Sequence, residues 1–171
     1  MKNINTFTDF QKIKAVMFDF DGVFTENHVI IDESGSEYVK CSRYDGFGVH
    51  ALVDLGLVVF VITTETKPLA SQRCKKLNLQ CFDSVSNKLD FAANILQQKN
   101  ITLSQAAFFG NDINDLSLLE KVLMPVVTPD CHGSVRSSRF YTTSAKGGMG
   151  CVRELADCIH MHLNPVRSKH F

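Results

Sequence analysis

Short apolar runs alternate with amphipathic segments along the whole chain. "KAVMFDF", "LVVFVITT", "AAFFGN" and "MPVVT" read as buried strands, and "QCFDSV" and "RFYTT" as weaker ones. Between them, "FGVHALVDLG", "KPLASQRCKKLN", "NKLDFAANILQQKN", "INDLSLLEKV" and "MGCVRELADCIHMHL" carry helical periodicity. Pro68 falls in the first turn of one helix, where proline is tolerated, and Gly56 follows another, as a helix stop. This alternation predicts an α/β chain: a Rossmann-like parallel sheet with helices on both faces. One segment departs from it. "HVIIDESGSEYVKCS" has two strand-like arms around a turn-rich centre at Ser34 and Gly35, which predicts a β-hairpin inserted at about 27–42.

The polar residues that stand out all follow a strand. Asp19 and Asp21 end the first and Thr63 the second; Lys88 opens the helix after the third; Asn111, Asp112 and Asp115 follow the fourth. In an open parallel sheet the carboxyl ends of the strands line one crevice, so four segments would deliver polar groups to one place. Residues two apart on an extended chain point the same way, so Asp19 and Asp21 would share the crevice while Phe18 and Phe20 point elsewhere. Gathered carboxylates repel one another unless a cation offsets them, and Mg²⁺ characteristically takes one or two carboxylates plus a phosphate.

Composition narrows the function classes. A length of 171 residues predicts a single domain, 1–171, and 44% hydrophobic with 21% charged residues suits an ordinary core. Lysine plus arginine equals aspartate plus glutamate at 18 each, which gives no footing for nucleic acid. No apolar run approaches the ~20 residues that span a bilayer. "MKNINTFTDF" lacks the apolar core of a signal peptide, so a cytoplasmic location is expected. The six cysteines form no CxxC pair and read as reduced thiols rather than a zinc site. His160 and His162 read as part of a helix surface.

The residues at the strand ends resemble the four motifs of the haloacid dehalogenase superfamily of phosphotransferases. "FDFDGVFT" is similar to the first, "VITT" to the second, Lys88 in "SNK" to the third and "GNDIND" to the fourth. The resemblance implies a nucleophile at Asp19, which forms an aspartyl-phosphate, and a general acid and base at Asp21. It implies that Thr63 binds phosphoryl oxygens, that Lys88 offsets charge, and that Asp115 anchors Lys88. Mg²⁺ would be held by Asp19, the backbone carbonyl of Asp21, and Asn111 with Asp112. The fourth motif usually opens Gly-Asp, so Asn111 replaces a carboxylate with an amide, and Thr64 stands where glycine is usual.

Members of the superfamily with a cap domain insert it after the first or second motif. Here the hairpin and one helix fill the first interval, and one helix and one strand fill the second. The chain therefore resembles the capless subfamily, which hydrolyses eight- and nine-carbon keto-sugar acid phosphates as homotetramers whose hairpins cover a neighbour's site. The 3-deoxy-manno-octulosonate (KDO) 8-phosphate phosphatases carry "TGR" and "GGRG"; this chain has "TTETK" and "GGMG", with Glu65 and Met149 at the arginine positions. That resemblance favours the nine-carbon N-acylneuraminate or ketodeoxynononate 9-phosphates, with Thr64, Glu65 and Lys67 as substrate contacts. The eight-carbon phosphate is the alternative. "TETKPLASQRCKKL" also resembles the phosphatase-like domains associated with CMP-sialate synthetases, which makes such a synthetase a candidate partner. A related vertebrate domain with asparagine in the fourth motif is a tetramerisation module, so a non-catalytic scaffold is a rival expectation. The presence of Asp19, Asp21, Thr63 and Lys88 together favours the enzyme.

Overall fold

The computed structural model describes residues 1–164; the end of the "NPVRSKHF" tail, 165–171, lies outside the described residues. In chain order the elements are β1 (Lys2–Asn3), β2 (Ala15–Phe18), β3 (Ile30–Ile31), β4 (Glu37–Tyr38), α1 (Arg43–Asp54), β5 (Val58–Ile62), α2 (Leu69–Lys76), β6 (Gln80–Phe82), α3 (Lys88–Gln98), β7 (Ala106–Gly110), α4 (Leu116–Leu119), β8 (Met124–Val127), β9 (Tyr141–Thr142) and α5 (Cys151–Leu163), with short 3₁₀ turns between.

Seven strands form one parallel sheet in the order β1-β9-β8-β7-β2-β5-β6. Strand β2 is buried along its whole length, and its side chains divide with period two. Val16 and Phe18 join the apolar cluster that packs on α1, α2 and α5. Ala15 and Met17 join the opposite cluster, under α3 and α4. Burial on both faces explains why the inner strands read as continuous apolar runs rather than alternating ones. From β2 the chain runs outward to β5 and β6, then returns to β7 on the other side of β2. The direction of winding therefore reverses beside β2, which opens a crevice at the carboxyl ends of β2 and β7. Among the described residues no cap domain covers that crevice.

The expected strands and helices are present, and the structure adds one strand. Residues Lys2–Asn3 pair in parallel with Tyr141–Thr142, and Ile4, Phe7 and Phe10 bury themselves in the first cluster. Pro68 stands just outside α2, at its N-cap. After α1, Gly56 takes φ +76° and its N–H bonds the Val53 carbonyl at 2.8 Å, a turn that suits a residue without a side chain. Helix α5 has no cap from its own N-terminal residue. Asp45 of α1 supplies one, its Oδ1 accepting from the Arg153 N–H at 3.0 Å.

The hairpin is real but short: Ile30 pairs with Tyr38 and Ile31 with Glu37. Its turn is organised by Asp32, which accepts from the Ser34 and Ser36 N–H groups and from the Tyr38 hydroxyl, each at 2.9 Å. Val29, Ile30, Ile31 and Tyr38 are all more than half exposed. Among the described residues two ion pairs help tie the hairpin back to the body, Lys40 with Glu26 at 2.6 Å and Lys67 with Glu37. No helix among the described residues is long and apolar enough to cross a membrane.

Candidate active site

Asp19 sits one residue beyond β2, and its N–H continues the sheet by bonding the Phe109 carbonyl at 2.8 Å. Its side chain is buried. Lys88, the first residue of α3, is buried with it and donates Nζ to Asp19 Oδ1 and Asp115 Oδ1, each at 2.7 Å. The other oxygen of Asp115 accepts from the Asn111 and Asp112 N–H groups at 2.8 and 3.2 Å, which fixes the loop after β7. Gly110 is required here, because a Cβ at that position would run into the Asp115 carboxylate.

This arrangement brings two carboxylates and one ammonium out of water. Burial pushes the Asp19 carboxyl up to about 7, reinforced by the Asp115 charge and opposed by Lys88. Burial alone would lower the Lys88 pKa, but Asp19 and Asp115 outweigh it and the net direction is upward. Asp21 is also raised, first by burial, and its Oδ1 accepts from the Thr25 hydroxyl at 3.3 Å. The Thr25 hydroxyl in turn accepts from the Gly22 N–H at 3.0 Å, so the loop is held around Asp21.

Asp19, Asp21, Thr63, Thr64, Asn111 and Asp112 line one cavity of about 250 Å³. Thr63 is positioned by strand β6, since its N–H bonds the Phe82 carbonyl at 2.9 Å. Asn111 is buried, and its side-chain amide, packed on Gly22, has no hydrogen-bond partner among the described residues. The Asp19 and Asp21 carboxylates and the Asn111 amide give the cavity an oxygen-rich lining, which suits a hard divalent cation.

Asp112 borders the same cavity as Asp19, Asp21 and Asn111, and its Oδ1 also caps the following turn, accepting from the Ile113 N–H at 2.6 Å. Among the described residues no three carboxylate, imidazole or thiol side chains converge to hold a metal. Lys67 does not reach the cavity, because its ammonium is taken by Glu37 of the hairpin. Glu65 lines a second cavity of about 220 Å³ that meets the first at Asp21 and is otherwise walled by the hairpin arms and Leu69. Sequence reasoning missed Asn27, which lines both cavities. The signal available in the sequence was only its residue type, since asparagine tolerates the left-handed region that Asn27 adopts at φ +59°. Asn114, which bonds Thr64 Oγ1 at 3.4 Å, was also missed, although it lies within the quoted fourth motif.

No family model matches the chain. The 3-deoxy-D-manno-octulosonate 8-phosphate phosphatase KdsC of Salmonella typhi is 28% identical over 153 residues, 89% of this chain and 81% of that one. Among solved structures, a candidate HAD family hydrolase from Streptomyces avermitilis superposes with a TM-score of 0.87 at 32% identity, covering 92% of this chain and 91% of that one. The 3-deoxy-D-manno-octulosonate 8-phosphate phosphatase of Moraxella catarrhalis, solved with magnesium, phosphate and KDO, superposes with a TM-score of 0.83 at 27% identity, covering 88% and 89%. Sheet order, buried triad and relatives agree: the chain belongs to the haloacid dehalogenase superfamily, in its capless group similar to the KDO 8-phosphate phosphatases.

Proposed function

We propose that this chain is a magnesium-dependent phosphatase that hydrolyses the phosphate monoester of a keto-sugar acid. The observation that carries the reading is the buried Asp19–Lys88–Asp115 triad with Asp21 beside it at the crevice. A structural domain has no stability reason to keep this set, since burying such charges is at best neutral. In the reaction an Asp19 oxygen attacks phosphorus, and the bond from phosphorus to the sugar oxygen breaks. Asp21, whose pKa burial raises, protonates the departing sugar oxygen. It then takes a proton from the water that attacks the aspartyl-phosphate, which releases phosphate and restores Asp19. Thr63 hydrogen-bonds the phosphoryl oxygens, and Lys88 offsets the charge on Asp19. Mg²⁺ would be held by Asp19, the Asp21 carbonyl and Asn111, with Asp112 at the border of the cleft, and would neutralise charge on the transferring group.

For the sugar, the relatives favour the eight-carbon KDO 8-phosphate over the nine-carbon acids that the motif residues suggested. Glu65 beside Asp21 and Met149 in the "GGMG" loop support N-acylneuraminate 9-phosphate as the second reading, and a CMP-sialate synthetase partner belongs to that reading alone. The exposed apolar hairpin supports a homotetramer, and the six free thiols suit the cytoplasm.

The test is phosphate release with Mg²⁺ from both sugar phosphates, with Asp19→Asn alongside. The expected result is faster release from KDO 8-phosphate, abolished by the substitution. Turnover of neither by a folded tetramer would replace the enzyme with a scaffold.

A further inference from the structure

Helix α1 carries Arg43, Gly46, Phe47 and His50 along one face, at the i, i+3, i+4, i+7 spacing that usually takes apolar residues into a core. Across from them stand Arg73 and Lys76 of α2 and Leu77 at that helix's end. Together they line a groove of about 310 Å³ between the two helices. Gly46 marks the close approach, since a Cβ there would come within 2.8 Å of Leu77 Cδ2 and 3.7 Å of Arg73 Nη2. His50 Nε2 donates to the Leu77 carbonyl at 3.2 Å, a second tie between the helices.

The lining is one-sided in charge. Arg43, Arg73 and Lys76 bring three cations and no aspartate or glutamate joins them, although the whole chain holds 18 of each sign. None of the three forms an ion pair among the described residues. Asp45 feels the Arg73 charge, but it is buried and directed at α5, where it accepts from the Arg153 N–H. Arg43 is the first residue of α1, the end where the helix dipole disfavours a cation. Arg73 is held in place by one bond, Nη2 donating to the Ser42 carbonyl at 3.0 Å, while its buried Nε has no partner among the described residues. Beside these cations the Phe47 ring is 64% exposed. Like charges gathered this way repel one another, and an anion between them relieves that repulsion.

We propose that this groove is a second ligand site, which takes a nucleoside diphosphate. The two guanidinium forks and the ammonium meet the phosphate oxygens, and the base lies against the Phe47 ring. One phosphate group carries a charge of about −1.5 to −2, so three cations match two linked phosphates better than one. The volume stands at the small end of ligand pockets, roughly 300–1,000 Å³, which suits a compact ligand. The groove shares no lining residue with the two cavities beside Asp21, so the inference does not rest on the phosphatase reading.

The test titrates ADP, and separately pyrophosphate, into the native full-length chain with EDTA present. Without metal, neither probe is drawn to the catalytic crevice or turned over. Calorimetry and the shift in melting temperature both read the binding. The expected result is that ADP binds more tightly than pyrophosphate, and that both weaken as salt rises. Arg43→Gln combined with Lys76→Gln changes two exposed side chains and should weaken both probes by about tenfold. Phe47→Ala, which alters no charge, should weaken ADP alone and bring it to the level of pyrophosphate. Neither heat nor a thermal shift from either probe at millimolar concentration would overturn the proposal, as would binding that the double substitution leaves unmoved in a folded chain. An ADP affinity indifferent to Phe47→Ala would overturn the assignment to a nucleotide.

Discussion

Lys88 and Lys67 each form an ion pair with a glutamate or aspartate far off in sequence, yet the two pairs teach opposite lessons. Lys88 is sealed at the sheet's carboxyl edge between Asp19 and Asp115, with 0% of its side chain exposed. Lys67 reaches from the loop after β5 to Glu37 on the hairpin, with 51% of its side chain exposed. The first pair lies on elements locked by two apolar clusters. The second ties down a pair of two-residue strands, which would be marginal alone. Water decides the difference. Around Lys88 there is no solvent to take over if one partner is lost; around Lys67 there is. The rigid region carries the groups whose placement chemistry needs to be unvarying. The loosely held one walls the second cavity.

The sharpest way to break this contrast is Lys88→Met. It leaves Asp19 and Asp115 facing each other without a cation, a change of about 3–5 kcal/mol. For a chain of this size the melting temperature should fall by roughly 10 °C, read by calorimetry. A drop no larger than that of an exposed lysine would mean that the triad is hydrated in solution.

The next effect belongs to Asp19. Its carboxyl stands at about 7 in the folded chain against an ordinary value of 3.8, so the metal-free folded state holds its proton more tightly than the unfolded one. Below about pH 4 the group is neutral in both states and the stability linked to it is fully present. As pH rises through 7 that stability is lost, to the order of a few kcal/mol. Melting curves of the metal-free protein should therefore show a decline between pH 4 and 8 that Asp19→Asn lacks. Millimolar Mg²⁺ should restore the wild-type midpoint at pH 8, because ligand binding to the folded state alone raises it. Identical pH curves for the two proteins would remove Asp19 as the source.

How much of this was legible in the residues follows the same division. The inner strands announced themselves because burial on both faces demands continuous apolar runs, and the polar residues at their ends could be placed in one crevice from topology alone. Asp19, Asp21, Thr63, Lys88 and Asn111 do meet there. The Lys2–Asn3 strand was invisible, because two exposed polar residues carry no periodicity and pair only through backbone. Asp45 as a cap for α5 was equally hidden, since donor and acceptor lie on different helices and only packing brings them together. Lys67 read as a substrate contact for want of any local sign that Glu37 would claim it. That Asp112 also caps a turn was hidden, because its position in the motif says nothing of that turn.

Asn111→Asp sharpens the rigid side of the comparison at a smaller scale. The new carboxylate is isosteric, so the packing on Gly22 survives, and it adds one negative charge beside Asp19 and Asp21. Attraction to Mg²⁺ is offset in part by repulsion among the acids, and a net gain of about tenfold in affinity is expected. Isothermal titration of Mg²⁺ into the two proteins reads it directly. Unchanged affinity would mean that position 111 does not touch the ion.

The smallest effect tests the loose side. Lys67→Met removes an exposed pair, and such pairs contribute about 0–1 kcal/mol, so the melting temperature should barely move. The consequence should appear in binding instead. Glu37 walls the second cavity next to Glu65, and without Lys67 its charge is no longer offset, which makes that cavity more negative. An anionic sugar acid should then bind more weakly, so KM should rise while kcat, which the proposed mechanism assigns to Asp19, Asp21 and Lys88, holds. The rise should shrink at high salt, since exposed charges are screened beyond about 10 Å at 0.1 M. A fall in kcat with KM unchanged would place Lys67 in the chemistry itself and erase the division between the two regions.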